Sequence, residues 1–395
     1  MSLLHRQPFK ALYILAELTN IVLLHVPFWI IASIPKSSRP RPSWSITRSV
    51  LVYGLRRYFI LNSKVGGILK SPNYLALQGG KEVYGIWVSP APDLLQGRIR
   101  EQCEKAGSES IRLPGYWYTR KGETFDRKYK PSGADKVLYT LHGGGFVAFS
   151  AHPSDPLAPI AHGIIKESKS LNRVFCVEYR LSKWDLKNHT THPFPTALVD
   201  AITGYNYLVN ELGYAPQNII VEGDSAGANL ALALTRYLLE NSLPNLSPPG
   251  GLILVCPWSD LSLSHVKAGS SALPARNADV LTPTEYGPGT SYYSVRSYVG
   301  PDNLSATQTD PYISPASLDI PKPSFKNFPR TLMIAGDGEL QLDMMRTLRD
   351  RMAEDIGDLL DYYEVPDAVH DFLCLEWFEP ERTTTLQKIA EWVGP

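Results

Sequence analysis

The chain has 395 residues, of which 44% are hydrophobic and 20% are charged, so it can bury a large core and is not a disordered protein. Its 39 basic and 39 acidic residues cancel, so the chain has no net positive charge that would attract a polyanion. This argues against nucleic acid as a partner. The four cysteines include no Cys-x-x-Cys pair, and no His-Glu-x-x-His sequence occurs, so we expect no metal and no cofactor.

The first predicted element is an apolar helix over residues 11–34. A helix of this length rises about 36 Å, enough to cross a bilayer core of about 30 Å, although Pro27 should kink it and Glu17 lies within it. We expect a single-pass signal-anchor, with the endoplasmic reticulum as the membrane. The alternatives are an apolar helix that lies on the membrane or packs on the rest of the protein, and a cleaved signal peptide.

Two opposing signals bear on which side of the membrane the rest of the chain lies. Six basic residues lie between positions 36 and 57, whereas two precede the apolar run, and the positive-inside rule would then keep the rest of the chain in the cytosol. Three Asn-x-Ser/Thr sequences, at Asn188, Asn245 and Asn303, point instead to a glycosylated, lumenal protein. The sequence leaves the side open.

The remaining chain divides into segments that differ in composition and residue pattern. We assign 1–45 to the anchor and a linker, and 46–134 to a segment that contributes to a cap. From residue 135 to 395, short apolar runs alternate with amphipathic helical patterns, which is typical of a mostly parallel sheet covered by helices. A stretch rich in Ser, Pro, Gly and Tyr, at about 261–325, interrupts the alternation, and we interpret it as an insertion that completes the cap.

The sequence Gly223-Asp-Ser225-Ala-Gly227 lies between the apolar run NIIVE and the helical run ANLALAL. Small residues on both sides of a serine permit a sharp turn from strand to helix, which exposes the hydroxyl and points helix N–H groups at whatever it attacks. This context predicts that Ser225 is a nucleophile on a nucleophile elbow.

A second glycine-rich sequence, His142-Gly-Gly-Gly-Phe146, directly follows the predicted strand VLYTL. Three glycines free backbone N–H groups to face a ligand, and no dinucleotide or Walker pattern accompanies them. We therefore predict an oxyanion hole here, with the N–H of Ala226 as a further donor. His142 itself is interpreted as a structural anchor of this loop.

A serine nucleophile needs a base, and the base needs an acid to orient it. His370 follows the last predicted strand and precedes the final predicted helix, so we assign it as the base. Two acids follow the predicted strand TLMIAG, and the sequence favours Glu339 while leaving Asp337 as the alternative. The order serine, acid, histidine is the order of α/β-hydrolases.

Five motifs in this order, HGGGF, EYRLS (178–182), HPFPTALVD (192–200), GDSAG and HDF, resemble the hormone-sensitive lipase family of α/β-hydrolases. With its apolar N-terminus the chain is similar to the arylacetamide deacetylases and fungal steryl acetyl hydrolases. The resemblance implies an α/β-hydrolase fold with a cap, and an oxyanion hole of Gly144, Gly145 and Ala226. Two departures stand out: LSKWDLKNHTT follows YR, and Gly-Glu-Leu at 338–340 replaces the usual Asp-Pro-Leu.

The expected function is that of a serine carboxylic ester hydrolase that deacetylates a small lipophilic ester, such as an acetylated sterol or another hydrophobic metabolite, with a role in lipid metabolism. Three alternatives stay open: an acyltransferase or an amidase with the same triad, and a non-catalytic receptor. The plant gibberellin receptor resembles this family but has lost the histidine, whereas His370 is present here. The acyl and alcohol groups are not specified by the sequence.

Overall fold

The computed structural model describes most of the chain, namely residues 3–66, 68, 72–80, 83–120, 122–123, 125–126, 129–185, 189–241, 243, 245–282 and 290–394. The possible glycosylation sites at Asn245 and Asn303 lie within these described residues. The one at Asn188 lies outside them.

Ten β-strands are defined in the described residues. They are β1 (Tyr84–Val88), β2 (Leu113–Thr119), β3 (Lys136–Leu141), β4 (Leu171–Val177), β5 (Lys183–Trp184), β6 (Thr190–Thr191), β7 (Ile219–Asp224), β8 (Gly251–Val255), β9 (Thr331–Gly336) and β10 (Leu360–Val365). Eight of them form one sheet in the order β1-β2-β4-β3-β7-β8-β9-β10, and β5 and β6 pair as a separate hairpin.

The large sheet is parallel from β4 to β10, and its other edge is antiparallel, because β1 pairs with β2 and β2 with β4 in that sense. This confirms the prediction of a mostly parallel sheet. Part of the segment 46–134 thus extends the sheet through β1 and β2.

Ten α-helices accompany the strands in the described residues. They are α1 (Phe9–Asn20), α2 (Val26–Ala32), α3 (Ile46–Lys64), α4 (Gly97–Ala106), α5 (Pro159–Glu167), α6 (Thr196–Asn206), α7 (Ala226–Asn241), α8 (Thr290–Val299), α9 (Leu342–Ile356) and α10 (Glu381–Val393). A π-helical turn, Ile21–His25, joins α1 to α2, so that Phe9–Ala32 is one continuous helix.

The sheet has a hydrophobic core on each face. Along β3, Val137, Tyr139 and Leu141 enter the core that contains α6, α7 and α9, whereas Leu138 enters the core that contains α5 and α10. Successive strand residues point to opposite faces, and both faces are covered, which is why this strand carries apolar residues on both faces. The double covering leaves the carboxyl ends of the parallel strands as the place for a site.

The helix Phe9–Ala32 accommodates Pro27 through the π-helical turn that precedes it. Proline lacks the N–H that would continue the hydrogen-bond ladder, and a π-helical turn is one known way in which a helix absorbs such an interruption. This helix has 24 residues and contains an 18-residue stretch with a mean hydropathy of 1.8, so it could by length and composition cross a membrane or act as a signal. Both interpretations were left open by the sequence.

One face of this helix packs on α3. The rings of Trp29 and Tyr53 lie 5.6 Å apart, and the Glu17 carboxylate pairs with the Arg57 guanidinium at 2.5 Å. The exposed surface of the helix is mostly apolar, although it also carries Thr19 and Asn20; its large apolar side chains include Leu12, Leu15, Leu18, Val22, Leu23, Leu24, Phe28 and Ile31. Glu17, one of the polar residues that make the run imperfect, thus faces the protein, whereas Asn20 is exposed on the mostly apolar outer surface.

Candidate active site

Ser225 occupies the sharp turn between β7 and α7. Its backbone has φ of +52°, a left-handed value that is uncommon outside glycine and marks a strained turn. A Cβ added to Gly227 would collide with the carbonyl oxygen of Leu141, and one added to Gly223 would collide with the carbonyl oxygen of Gly227. The two glycines are therefore required by backbone contact, as the sequence pattern indicated.

Three side chains that are distant in sequence meet at this turn. The Ser225 Oγ lies 2.9 Å from Nε2 of His370, and Nδ1 of His370 lies 2.7 Å from Oε2 of Glu339. The other Glu339 oxygen accepts the Gly336 N–H at 2.6 Å, which fixes the carboxylate at the end of β9. All three residues are buried, so solvent screens the array weakly.

Asp337 lies near this array but faces away from it. Its carboxylate accepts the Asp367 N–H at 2.6 Å and pairs with Arg41 at 3.2 Å, and its side chain is 31% exposed. The structure therefore brings Glu339, and not Asp337, into contact with the imidazole.

The glycine loop lies beside the serine and is tied to it. The Gly143 N–H donates to the Asp224 carboxylate at 3.0 Å, and Gly144 and Gly145 have φ of +101° and +61°. Within the described part of the chain, the N–H groups of Gly144, Gly145 and Ala226 have no acceptor. Three unpaired donors beside a hydroxyl can bind an oxygen that gains negative charge.

His142 anchors this loop through its ring. The ring stacks on Tyr179 with centroids 4.2 Å apart, and the Tyr179 hydroxyl donates to the His142 carbonyl oxygen at 2.7 Å. Burial lowers the pKa of His142 to about 4, so the ring is neutral at physiological pH. These contacts support the interpretation of His142 as a structural residue.

Two further carboxylates touch His370, and the sequence analysis missed both. The Asp371 carboxylate lies 3.3 Å from Nε2 of His370. The Asp279 carboxylate accepts the backbone N–H of His370 at 2.9 Å. Burial alone would lower the pKa of His370, but the charges of Asp371, Glu339 and Asp279 raise it above its ordinary value. The sequence pointed to Asp371 only through its position directly after His370 in the HDF motif. Nothing in the sequence pointed to Asp279.

Asp371→Asn is expected to shift the acid limb of kcat/KM for an ester to lower pH by about one unit. On the expectation that His370 is the base, only its neutral imidazole can accept the serine proton, so activity should rise with pH through the His370 pKa, and removal of a nearby negative charge lowers that pKa. The measurement is kcat/KM against pH for both proteins. The matched control is Asp367→Asn. Asp367 lies on the same loop, and its left-handed φ of +62° is similar to that of Asp371. An unshifted limb in Asp371→Asn would contradict the electrostatic role.

One set of possible metal ligands occurs in the described residues: Cys256, His370 and Asp371, whose ligand atoms lie within 4.8 Å of one another. Both ring nitrogens of His370 are already hydrogen-bonded, to Ser225 and to Glu339. A metal ion would have to displace one of these bonds, so the set adds no separate metal centre to the site.

The insertion contributes α8 to the edge of the site. A Cβ added to Gly145 would lie 2.8 Å from Oγ of Ser294 on α8 and 3.7 Å from the Trp258 ring. The Phe146 ring stacks on Tyr298 of the same helix at 3.7 Å. The helix therefore lies directly against the glycine loop and narrows the space beside it.

A family model described as alpha/beta hydrolase fold matches residues 138–374. An esterase of Acinetobacter venetianus is 26% identical over 336 residues, which cover 85% of this chain and 95% of that protein. An acetyl-hydrolase of Streptomyces hygroscopicus is 28% identical over 259 residues, which cover 64% and 72%. A solved structure of a hormone-sensitive lipase from a metagenome library is similar with a TM-score of 0.53 and 26% identity, covering 71% and 81% of the two chains.

Proposed function

We propose that this chain, which belongs to the hormone-sensitive lipase family of α/β-hydrolases, deacetylates a lipophilic ester through an acyl-serine intermediate. The premise is that the chain is a carboxylic ester hydrolase of the carboxylesterase type. The observation that carries the proposal is the unbroken array from Glu339 through His370 to Ser225, with bonds of 2.7 and 2.9 Å, beside three N–H groups without an acceptor in the described part of the chain.

In the first half of the reaction, Nε2 of His370 accepts the Ser225 proton while Oγ attacks the ester carbonyl carbon. The carbonyl oxygen becomes an oxyanion, which the N–H groups of Gly144, Gly145 and Ala226 bind; each such donor lowers the barrier by about 2.7–4 kcal/mol. Glu339 keeps the Nδ1–H tautomer and stabilises the imidazolium. The imidazolium then protonates the leaving alcohol as the C–O bond breaks.

In the second half, His370 accepts a proton from water as the water oxygen attacks the acyl-serine carbonyl carbon. The same three N–H groups bind the second oxyanion. Collapse of this intermediate breaks the bond to Ser225, returns the proton to its Oγ and releases the carboxylic acid.

A small acyl group is supported by the space beside the glycine loop. We place the acyl group beside Gly145, where a Cβ added to the glycine would lie 2.8 Å from Oγ of Ser294 and 3.7 Å from the Trp258 ring, so that a long acyl chain there would meet α8. The acetyl-hydrolase of Streptomyces hygroscopicus, one of the relatives, is named for the removal of such a group.

An apolar alcohol is supported by the aromatic rings on α8 and on the hairpin that contacts this helix. The hairpin of β5 and β6 and α8 present aromatic rings: Trp184 lies 6.3 Å from Tyr293, and Arg296 covers Trp184 at 5.0 Å. We assign the hairpin of β5 and β6, together with part of the segment 46–134, to the alcohol side of a cap whose acyl side is bounded by α8. Residues 11–34, as an anchor, would place the site next to membrane-dissolved substrates.

The test is kcat/KM for p-nitrophenyl acetate, butyrate and octanoate, followed by acetylated and long-chain sterol esters. We expect the highest value for acetate and a steep fall with chain length, since α8 limits the acyl space. Equal or greater activity on octanoate would contradict acetyl specificity. Transfer of a labelled acetyl group to an added alcohol, in preference to water, would identify an acyltransferase instead.

A further inference from the structure

Asp279 is a buried carboxylate of the insertion that touches both loops of the triad. One of its oxygens accepts the His370 N–H at 2.9 Å, and the other accepts the Leu340 N–H at 2.9 Å. Leu340 directly follows Glu339 in the chain. A single side chain therefore joins the residue proposed as the base to the residue next to the proposed acid, and its side chain is fully buried.

Asp279 is itself held from the other side by α3. The Arg56 guanidinium donates to the Asp279 carbonyl oxygen from Nε at 3.0 Å and from Nη2 at 2.6 Å, and to the Asn277 carbonyl oxygen at 3.1 Å. These bonds fix the backbone of the insertion at the point where its carboxylate reaches the triad. The N-terminal segment thus supports the active site through a named contact.

Other bonds join the two triad loops, but further from the chemistry. Gly338 N–H donates to the Ala368 carbonyl oxygen at 2.9 Å, and Asp337 N–H donates to that of Val365 at 3.0 Å. Asp279 alone among these contacts acts on the backbone of His370 itself. Loss of its bonds would let the imidazole move relative to Glu339, and catalysis is sensitive to displacements of about 1 Å.

We propose that Asp279 is a positioning residue, which holds His370 and the loop of Glu339 at the separation that proton transfer requires; this inference rests on the proposed function. Asp279→Asn keeps the shape, but its amide NH2 must face either the Leu340 N–H or the N–H groups of His370 and Val280, which share the other oxygen. We expect kcat for p-nitrophenyl acetate to fall about ten- to hundredfold, with KM changed little, because the substrate site is not touched.

The pH profile separates this role from mere support of the fold. The ionisable groups that face His370 are Glu339 on the loop after β9, Asp371 on its own loop, Asp224 at the end of β7, Cys256 after β8, and Asp279. Asp279→Asn removes one negative charge from this set, so the His370 pKa falls and the acid limb of kcat/KM moves to lower pH. A purely structural defect would leave the limb in place.

The matched control is Asp260→Asn. Asp260 is another buried carboxylate near the start of the insertion, and it accepts the Ser262 N–H at 2.8 Å and pairs with Nδ1 of His265 at 2.7 Å, without touching the triad. We expect Asp260→Asn to lower the melting temperature while kcat and the acid limb stay at wild-type values. A loss of kcat equal to that of Asp279→Asn would overturn the proposal.

A second pair of variants covers the case in which Asp279→Asn does not fold. Arg56→Gln removes the support of Asp279, whereas its neighbour Arg57 binds Glu17 of the apolar helix. We expect Arg56→Gln to lower kcat and Arg57→Gln to leave it unchanged. If the wild-type protein hydrolyses no ester, the proposed function fails; if it does and neither Asp279→Asn nor Arg56→Gln lowers kcat, only the positioning role fails.

Discussion

Ser225→Ala is expected to lower kcat for p-nitrophenyl acetate by about a millionfold, the size of effect found when a triad nucleophile is removed. Without the hydroxyl no acyl-enzyme can form, and His370 has no proton to accept. The fold should persist, because alanine meets the same left-handed φ of +52° that serine already adopts, and the site is buried among the same neighbours. The measurement is steady-state turnover together with thermal unfolding.

The control for this variant is Ser259→Ala. Ser259 is also buried, but its hydroxyl donates to the Met344 carbonyl oxygen and does not touch the triad. We expect it to lose some stability and to keep kcat within a small factor. If Ser225→Ala retains wild-type turnover, the reaction does not pass through this hydroxyl.

Glu339→Gln is expected to lower kcat by about ten-thousandfold, and Asp337→Asn by no more than about fivefold. The amide introduced by Glu339→Gln cannot both accept from Nδ1–H and keep the bond to the Gly336 N–H. The imidazole therefore takes the tautomer with a proton on Nε2 and cannot accept the serine proton. Asp337 loses only a partly exposed ion pair with Arg41, at 3.2 Å. The measurement is kcat for the two variants side by side.

This pair of variants decides between Glu339, which the sequence favours, and Asp337, its alternative. Equal losses, or a larger loss in Asp337→Asn, would assign the orienting role to Asp337 and would require a different arrangement of the loop after β9. Thermal unfolding of both variants guards against a loss of kcat that merely reports unfolding.

The sheet and the reactive turn could be predicted because their signals are local. Each parallel strand is a short apolar run, and Ser225 lies in a turn whose glycines are required by contacts with Leu141 and with the turn itself. The sequence favoured Glu339 but left Asp337 open, since both follow the same strand and only the path of the backbone aims one at His370 and the other at Arg41.

Long-range contacts account for what the sequence analysis missed. Asp279 reaches His370 across 91 residues of chain, from an insertion without regular pattern. Glu17 makes the N-terminal run less apolar, yet it pairs with Arg57, 40 residues away, so that the exposed surface of the helix is mostly apolar. The addition of β1 and β2 to the sheet edge likewise depends on pairing with β4, which no local signal encodes.

The most direct measurement is the identification of the covalent intermediate by mass spectrometry. Wild-type protein is mixed with p-nitrophenyl acetate, quenched in acid during the first turnover and digested. We expect one acetyl group on the peptide that contains Ser225, located on that residue by fragmentation, and none in Ser225→Ala. Rapid release of p-nitrophenol with Ser225 unmodified, or with the acetyl group on another residue, would contradict an acyl-serine mechanism at this site.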